Sequence, residues 1–172
     1  MDIRHAFVGT YIWYLPKLKN QSAFIRGPIG GWQLSGIVRM QSGPYQTVTA
    51  NTPILGGRIA DYVGGPVLLS NRGPNGWINP AAFSAAPQGR WGTSGVGNVQ
   101  GPGLEMYNLS VTKFFYLRGE GKMNVRVRAD FVNAFNKTNF QQPATNLSSS
   151  NFGTISGAYP PRNIQLGAKF TF

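Results

Sequence analysis

Hydrophobic and polar side chains alternate without a break over the last ten residues of the chain, from Asn163 to Phe172. The residues on one face are Ile164, Leu166, Ala168, Phe170 and Phe172, and those on the other are Asn163, Gln165, Gly167, Lys169 and Thr171. An alternation with a period of two residues predicts a β-strand with one apolar face. About ten residues are also the length that a tilted strand needs to cross a membrane.

A second alternating segment runs from Met123 to Phe131. Its apolar positions share one face, whereas Arg126, Arg128 and Asp130 share the other. Charged side chains need water or a charged partner, and the wet interior of a channel supplies both. The pattern therefore predicts that these three side chains face the lumen of a barrel.

Three more segments are typical of strands because of their alternation or their aromatic and β-branched content. Glycine and proline interrupt almost every stretch that is long enough for an amphipathic helix. The sequence thus predicts an all-β fold, an antiparallel up-and-down meander of about five strands that forms part of the wall of a transmembrane β-barrel. The predicted strands are residues 6–15, 32–46, 105–116, 122–136 and 162–172.

The connections between these strands are alternately short and long. A polar turn of residues 117–122 joins two strands, whereas residues 50–104 and 138–161 form long connections. Because successive strands run in opposite directions, both long connections lie at the same end of the sheet. Outer-membrane barrels have short periplasmic turns and longer external loops, so we expect the two long connections to be external.

Composition limits the chemistry that the chain can perform. It has a net charge of +11, only 12 % charged residues, one histidine (His5) and no cysteine. The cations are dispersed along the chain, so we expect no nucleic-acid partner. The single histidine and the scattered carboxylates predict no metal site, no cofactor, no catalytic residue and no enzyme activity. The first residues carry no secretion signal, so we expect the chain to be part of a longer protein.

Several segments resemble one family, and they occur in the family's order. The segment Arg128–Phe140 is similar to a recurrent penultimate-strand motif of TonB-dependent outer-membrane receptors, and Pro161–Phe172 is similar to their final strand. The Oar-like group of these receptors, which carries an N-terminal carboxypeptidase-regulatory-like domain, is the group that the chain resembles. Further similar segments are Asp2–His5, Gly31–Gly36, Asn79–Phe83, Gly101–Gly103 and Tyr107–Phe114.

The resemblance implies a barrel of about 22 strands that is filled by a plug domain and imports scarce substrates with energy relayed by TonB. This chain would supply the C-terminal wall in the bacterial outer membrane. Its partners would be the rest of the barrel, the plug, outer-membrane lipid, the barrel-assembly machinery, and TonB through an N-terminal part that this sequence does not contain. Phe170 and Phe172 would serve as part of the barrel-assembly signal.

The connection 50–104 mixes polar and aromatic side chains, a mixture typical of ligand-contacting loops. The expected ligand-contacting residues are Arg58, Asp61, Trp77, Arg90 and Trp91. A surface loop that packs on itself explains the same composition. The substrate is not identified by the sequence, and an outer-membrane or surface-exposed β-domain with an adhesive or structural role is the alternative to import.

Overall fold

The computed structural model describes residues 2–16, 22, 29–51, 59–118 and 123–172. Within them the strands are β1 (Ala6–Tyr14), β2 (Trp32–Gln41), β3 (Tyr45–Gln46), β4 (Asp61–Tyr62), β5 (Leu68–Gly73), β6 (Gly76–Ile78), β7 (Phe83–Ser84), β8 (Val99–Gln100), β9 (Leu104–Arg118), β10 (Met123–Val132) and β11 (Asn163–Thr171). A short 3-10 helix, Pro80–Ala82, precedes β7. Among these residues, no helix is long and apolar enough to cross a membrane.

The chain divides into two units. One, which we name the sheet unit, consists of Phe7–Arg39, Glu105–Lys137 and Pro160–Phe172. The other, which we name the loop unit, consists of Met1–Ala6, Met40–Leu104 and Thr138–Tyr159.

The sheet unit contains a five-stranded sheet with the strand order β1-β2-β9-β10-β11. The spatial order follows the chain order, and the connections between β2 and β9 and between β10 and β11 are long. The all-β class and the antiparallel meander of five strands are therefore confirmed.

The register of the sheet assigns each side chain to a face. Val127 of β10 lies opposite Ala168 of β11 on one side and opposite Lys113 of β9 on the other. Its neighbour Arg128 lies between Gly167 and Thr112 in the same way. Side chains alternate between faces along a strand, so the apolar positions of β10 and β11 share one face and the polar positions share the opposite face.

Two strands end earlier than the sequence predicted. The predicted strand 32–46 stops at Gln41, and Tyr45–Gln46 pairs with Val99–Gln100 as β3 and β8. The separation occurs at Gly43, where a Cβ would lie 1.7 Å from the carbonyl oxygen of Gly101. Only glycine allows this approach of two backbones.

The predicted strand 122–136 ends at Val132, because the next residue, Asn133, has a φ of 53°. Asn136 also has a positive φ, of 52°. Asparagine tolerates the left-handed region better than most residues, since its short side chain hydrogen-bonds to nearby backbone.

The asparagine side chains hold this turn together. Asn133 donates from Nδ2 to the carbonyl of Lys137 at 2.9 Å, and its Oδ1 accepts the Lys137 N–H at 3.0 Å. Asn136 Oδ1 accepts the N–H of Arg162, immediately before β11, at 3.0 Å. The turn therefore fixes the end of β10 and the approach to β11 through side-chain bonds to backbone groups.

The loop unit has a hydrophobic core of its own. Short ribbons pair β3 with β8, β4 with β7, and β5 with β6. The buried residues of the core are Val48, Ala50, Ala60, Ile78, Ala82, Phe83 and Val99. The two long connections contact each other here: Thr49 donates to the carbonyl of Thr145 and accepts from the N–H of Leu147, at 2.9 and 2.7 Å. The two long connections therefore pack on themselves and on each other.

Candidate functional site

The apolar face of the sheet is exposed along β11 and part of β10. Leu166 is 80 % exposed, and Ile164, Phe170 and Val127 are also exposed. The cross-strand apolar pairs are Val125 with Phe170, Val127 with Ala168, Ala129 with Leu166, and Phe131 with Ile164. A contiguous apolar face of this kind marks a surface that meets another apolar phase or partner.

Aromatic rings lie at both ends of the sheet. Phe170 and Phe172 stack with their centroids 5.9 Å apart at the end where β11 finishes. At the opposite end, Tyr107 and Phe135 make an edge-to-face contact at 5.2 Å. Belts of aromatic side chains at the two interfaces are typical of membrane-spanning barrels.

The polar face carries the charged residues that the sequence predicted to face a lumen. Arg128 donates from Nε to Asp130 Oδ1 at 2.8 Å and from Nη2 to Ser110 Oγ at 3.2 Å. Ser110 also donates to Asp130. Arg126 lies on the same face but is not part of this cluster. The structure thus brings together two of the three predicted residues and adds Ser110, which sequence reasoning did not select.

An open depression of about 370 Å³ adjoins this cluster. Its lining includes the polar side chains Thr10, Ser35, Asn108, Ser110 and Arg128. Hydroxyl, amide and guanidinium groups along a sheet face suit contact with water or a polar partner.

In the loop unit, Asp61 and Arg90 form an ion pair between residues that are far apart in sequence. Arg90 donates to Asp61 Oδ1 at 2.9 Å and to Oδ2 at 2.5 Å. Thr93 donates its N–H to Asp61 Oδ1 at 3.0 Å. The Asp61 side chain is only 9 % exposed. The hydrogen bond from Arg90, supported by that from Thr93, holds the pKa of Asp61 below its usual value even though burial opposes the shift.

The remaining residues of the predicted ligand-contacting loop do not converge on one site. Trp77 packs against the core and donates from Nε1 to the carbonyl of Gln100 at 2.8 Å. Trp91 is 63 % exposed, and Arg58 lies outside the described residues. Of the four residues that are described, Asp61, Trp77 and Arg90 contact other residues of the loop unit. Contact of these residues with a ligand stays a prediction.

Comparison with known proteins decides how the two faces are to be interpreted. A family model described as "Outer membrane beta barrel domain" matches residues 1–165. The chain belongs to this outer-membrane β-barrel family. No curated protein and no solved structure matches the chain. The location is accordingly the bacterial outer membrane, where the apolar face of the barrel strands meets lipid and the polar face lines the interior.

A buried lysine, Lys113 of β9, lies on the lipid side of the barrel wall. Lys113 shares the face of Val127 and is only 3 % exposed. Its Nζ donates to the carbonyl of Gly30 and lies 5.1 Å and 5.6 Å from the ring centroids of Trp32 and Phe115. A carbonyl and two ring faces replace the water that the ammonium group would otherwise need. Lys113 falls at an apolar position in the alternation of β9, and it is not among the residues that the sequence predicts to have a role.

The part of the chain that the structure describes holds no group of three or more histidine, cysteine, aspartate or glutamate side chains placed to bind a metal.

Proposed function

We propose that this chain forms the C-terminal wall of a TonB-dependent outer-membrane transporter, in which a larger barrel encloses a plug and imports a scarce substrate. The observation that carries the proposal is the five-stranded sheet of a barrel family, apolar on one face and polar on the other. The TonB dependence and the transport activity rest on the resemblance of the segments Arg128–Phe140 and Pro161–Phe172.

A larger barrel is supported by the open edges of the sheet. Within the described residues, the outer edges of β1 and β11 have no strand partner. Small closed barrels need about eight strands to enclose a packed interior, and exposed strand edges promote aggregation. Pairing both edges with further strands of the same barrel removes that hazard, so the rest of the barrel is the first partner that we propose.

The structure of the segment Arg128–Phe140, which resembles the penultimate-strand motif, supports a role in the barrel wall and not in catalysis. Within Arg128–Phe140, Arg128 and Asp130 face the interior, whereas Asn133 and Asn136 build the turn that precedes the external connection. Residues of this segment therefore line the barrel interior and end the strand β10. We propose that the chain has no enzyme activity and that its plug, lipid and assembly-machinery partners are those of a transporter barrel, with Phe170 and Phe172 as assembly contacts.

The loop unit is the surface that we propose for substrate contact. Its core and the Asp61–Arg90 pair give a fixed shape to connections that would otherwise be mobile. Trp91, largely exposed beside that pair, offers a ring face to a substrate. Fixed external loops on a barrel are suited to capture before translocation.

The test uses native cells. An antibody raised against residues 101–172 is applied to outer-membrane, inner-membrane and soluble fractions, and the band is followed with and without formaldehyde cross-linking to TonB. A band several times larger than 18.7 kDa in the outer membrane, shifted by cross-linking in a TonB-dependent manner, is expected. A large outer-membrane band that never links to TonB would favour the adhesive or structural role, and a soluble band of the chain's own mass would refute the barrel wall.

A further inference from the structure

Two cations face each other across β10 and β11 on the interior face of the wall. Arg126 and Lys169 are Cα partners in the register, and both side chains are exposed. Directly opposed residues in an antiparallel pair have Cβ atoms about 5 Å apart, and like charges in that position repel. The register is nevertheless fixed by the apolar residues on the other face, because a slip of one position would reverse every side chain of the strand.

Arg128, a neighbouring cation on the same face, is paired with a carboxylate. Arg128, two positions after Arg126 on β10, pairs with Asp130 at 2.8 Å and also donates to Ser110. Arg126 instead lies between Lys169 and Phe114 in the register. Neither Arg126 nor Lys169 has a carboxylate partner in the described part of the chain. Among the described residues, the face therefore contains one cation that is paired with a carboxylate and, beside it, two that are not.

We infer that Arg126 and Lys169 together bind carboxylate side chains of the polypeptide that fills the barrel interior. This inference rests on the proposed function, which supplies that polypeptide as the plug. Guanidinium and ammonium groups side by side fit one bidentate carboxylate or two adjacent ones. Lipid is excluded as the partner because both residues lie on the face opposite Leu166 and Phe170.

A permanent polypeptide partner accounts for this pair better than a passing solute does. Water and salt weaken the repulsion between Arg126 and Lys169 only in part, because two charges about 5 Å apart lie within the Debye length of about 8 Å at physiological ionic strength. A carboxylate held beside the pair lowers the repulsion further. The surface around them is a flat strand pair, and a small ligand needs a concave site that buries most of its surface. A protein surface can cover flat strands and present fixed carboxylates.

The chemistry of lysine gives a direct test. Native outer membranes are treated with a water-soluble carbodiimide, which joins an amine to a carboxylate in contact with it, and the digest is searched for peptides linked to Lys169. We expect a link from Lys169 to an aspartate or glutamate peptide outside the five strands. An Arg126→Lys variant should add a second link to the same acidic region. Lys113, whose Nζ is held by the Gly30 carbonyl, is the matched control and should form none.

A second sample is treated with a water-soluble acylating reagent, which measures whether the Lys169 amine is accessible to water. A Lys169 that is acylated readily and forms no link is open to water, and a Lys169 that is protected but unlinked is covered by something other than a carboxylate. Either result overturns the inference while leaving a large outer-membrane barrel, and with it the proposed function, intact. Failure of the proposed function appears separately, as the absence of that large barrel from the membrane fraction.

Discussion

Asn133 has two roles: its side chain forms hydrogen bonds to Lys137, and its backbone adopts a positive φ at the end of β10. Replacement of Asn133 by alanine and by glycine separates these two roles. Asn133 is 1 % exposed, has a φ of 53°, and bonds to both the N–H and the carbonyl of Lys137. Alanine removes the two hydrogen bonds to Lys137, together with a longer and weaker one of 3.4 Å from Nδ2 to the carbonyl of Pro160, and keeps a Cβ in the left-handed region. Glycine removes the same bonds but adopts the left-handed region freely.

The magnitude follows from those two contributions. Each lost hydrogen bond costs roughly 1 kcal/mol, and a Cβ in the left-handed region costs about 1 kcal/mol or slightly more. The wild-type asparagine already has a Cβ in the left-handed region, so alanine leaves that contribution unchanged and glycine relieves it. We therefore expect Asn133→Ala to lower the free energy of unfolding by about 2 kcal/mol and Asn133→Gly by about 1 kcal/mol. The alanine variant should be the less stable of the two, which reverses the usual effect of these residues within a strand.

The assay is urea unfolding of the native protein in detergent, followed by tryptophan fluorescence. Asn124→Ala serves as the control, because Asn124 lies on the interior face of β10 and does not have a positive φ. Its loss should change the unfolding midpoint little. An Asn133→Ala variant as stable as Asn133→Gly would refute the role given to the positive φ, and a wild-type-like Asn133→Gly would refute the role given to the hydrogen bonds.

Three further substitutions test other parts of the structure. Lys113→Met should assemble in the outer membrane as well as the wild type does, because a buried charge is replaced by an apolar chain of similar length; Lys113→Glu should not, and membrane immunoblots measure both. Since the pKa of Asp61 is lowered by Arg90, its contribution to stability is present above the ordinary value of 3.8 and lost as the pH falls below it. Protease resistance of the loop unit should therefore decline under acid in the wild type, and Asp61→Asn should be weaker at neutral pH but lack that decline. Gly43→Ala should disrupt the contact with Gly101 and lower the yield of folded barrel, as judged by the same immunoblot.

The wall of the barrel could be predicted from the sequence because strand alternation is local. The faces of β10 and β11 follow from successive residues between Met123 and Phe172, and the lipid on one side makes the pattern strict. The strand ends were less predictable. The break at Gly43 depends on the approach of Gly101, and the break at Asn133 depends on bonds to Lys137.

The loop unit was beyond sequence reasoning because its order comes from contacts between distant segments. Asp61 and Arg90 are separated by 29 positions, and Thr49 meets the second long connection near residue 146. Neither contact is indicated by a periodic pattern of hydrophobic and polar residues in the sequence. The same holds for Lys113, whose tolerance on the lipid side depends on Gly30 and Trp32.

The orientation of β11 in the membrane is the most direct test of the account. The chain contains no cysteine, so single cysteines can be placed at each position from Ile164 to Phe170 in the native protein, with any cysteines elsewhere in it replaced. They are labelled in intact outer membranes with a lipid-soluble or a water-soluble maleimide. The account predicts strict alternation: lipid-soluble labelling at 164, 166, 168 and 170, and water-soluble or protected behaviour at 165, 167 and 169. Water-soluble labelling at every position would contradict a membrane-spanning wall.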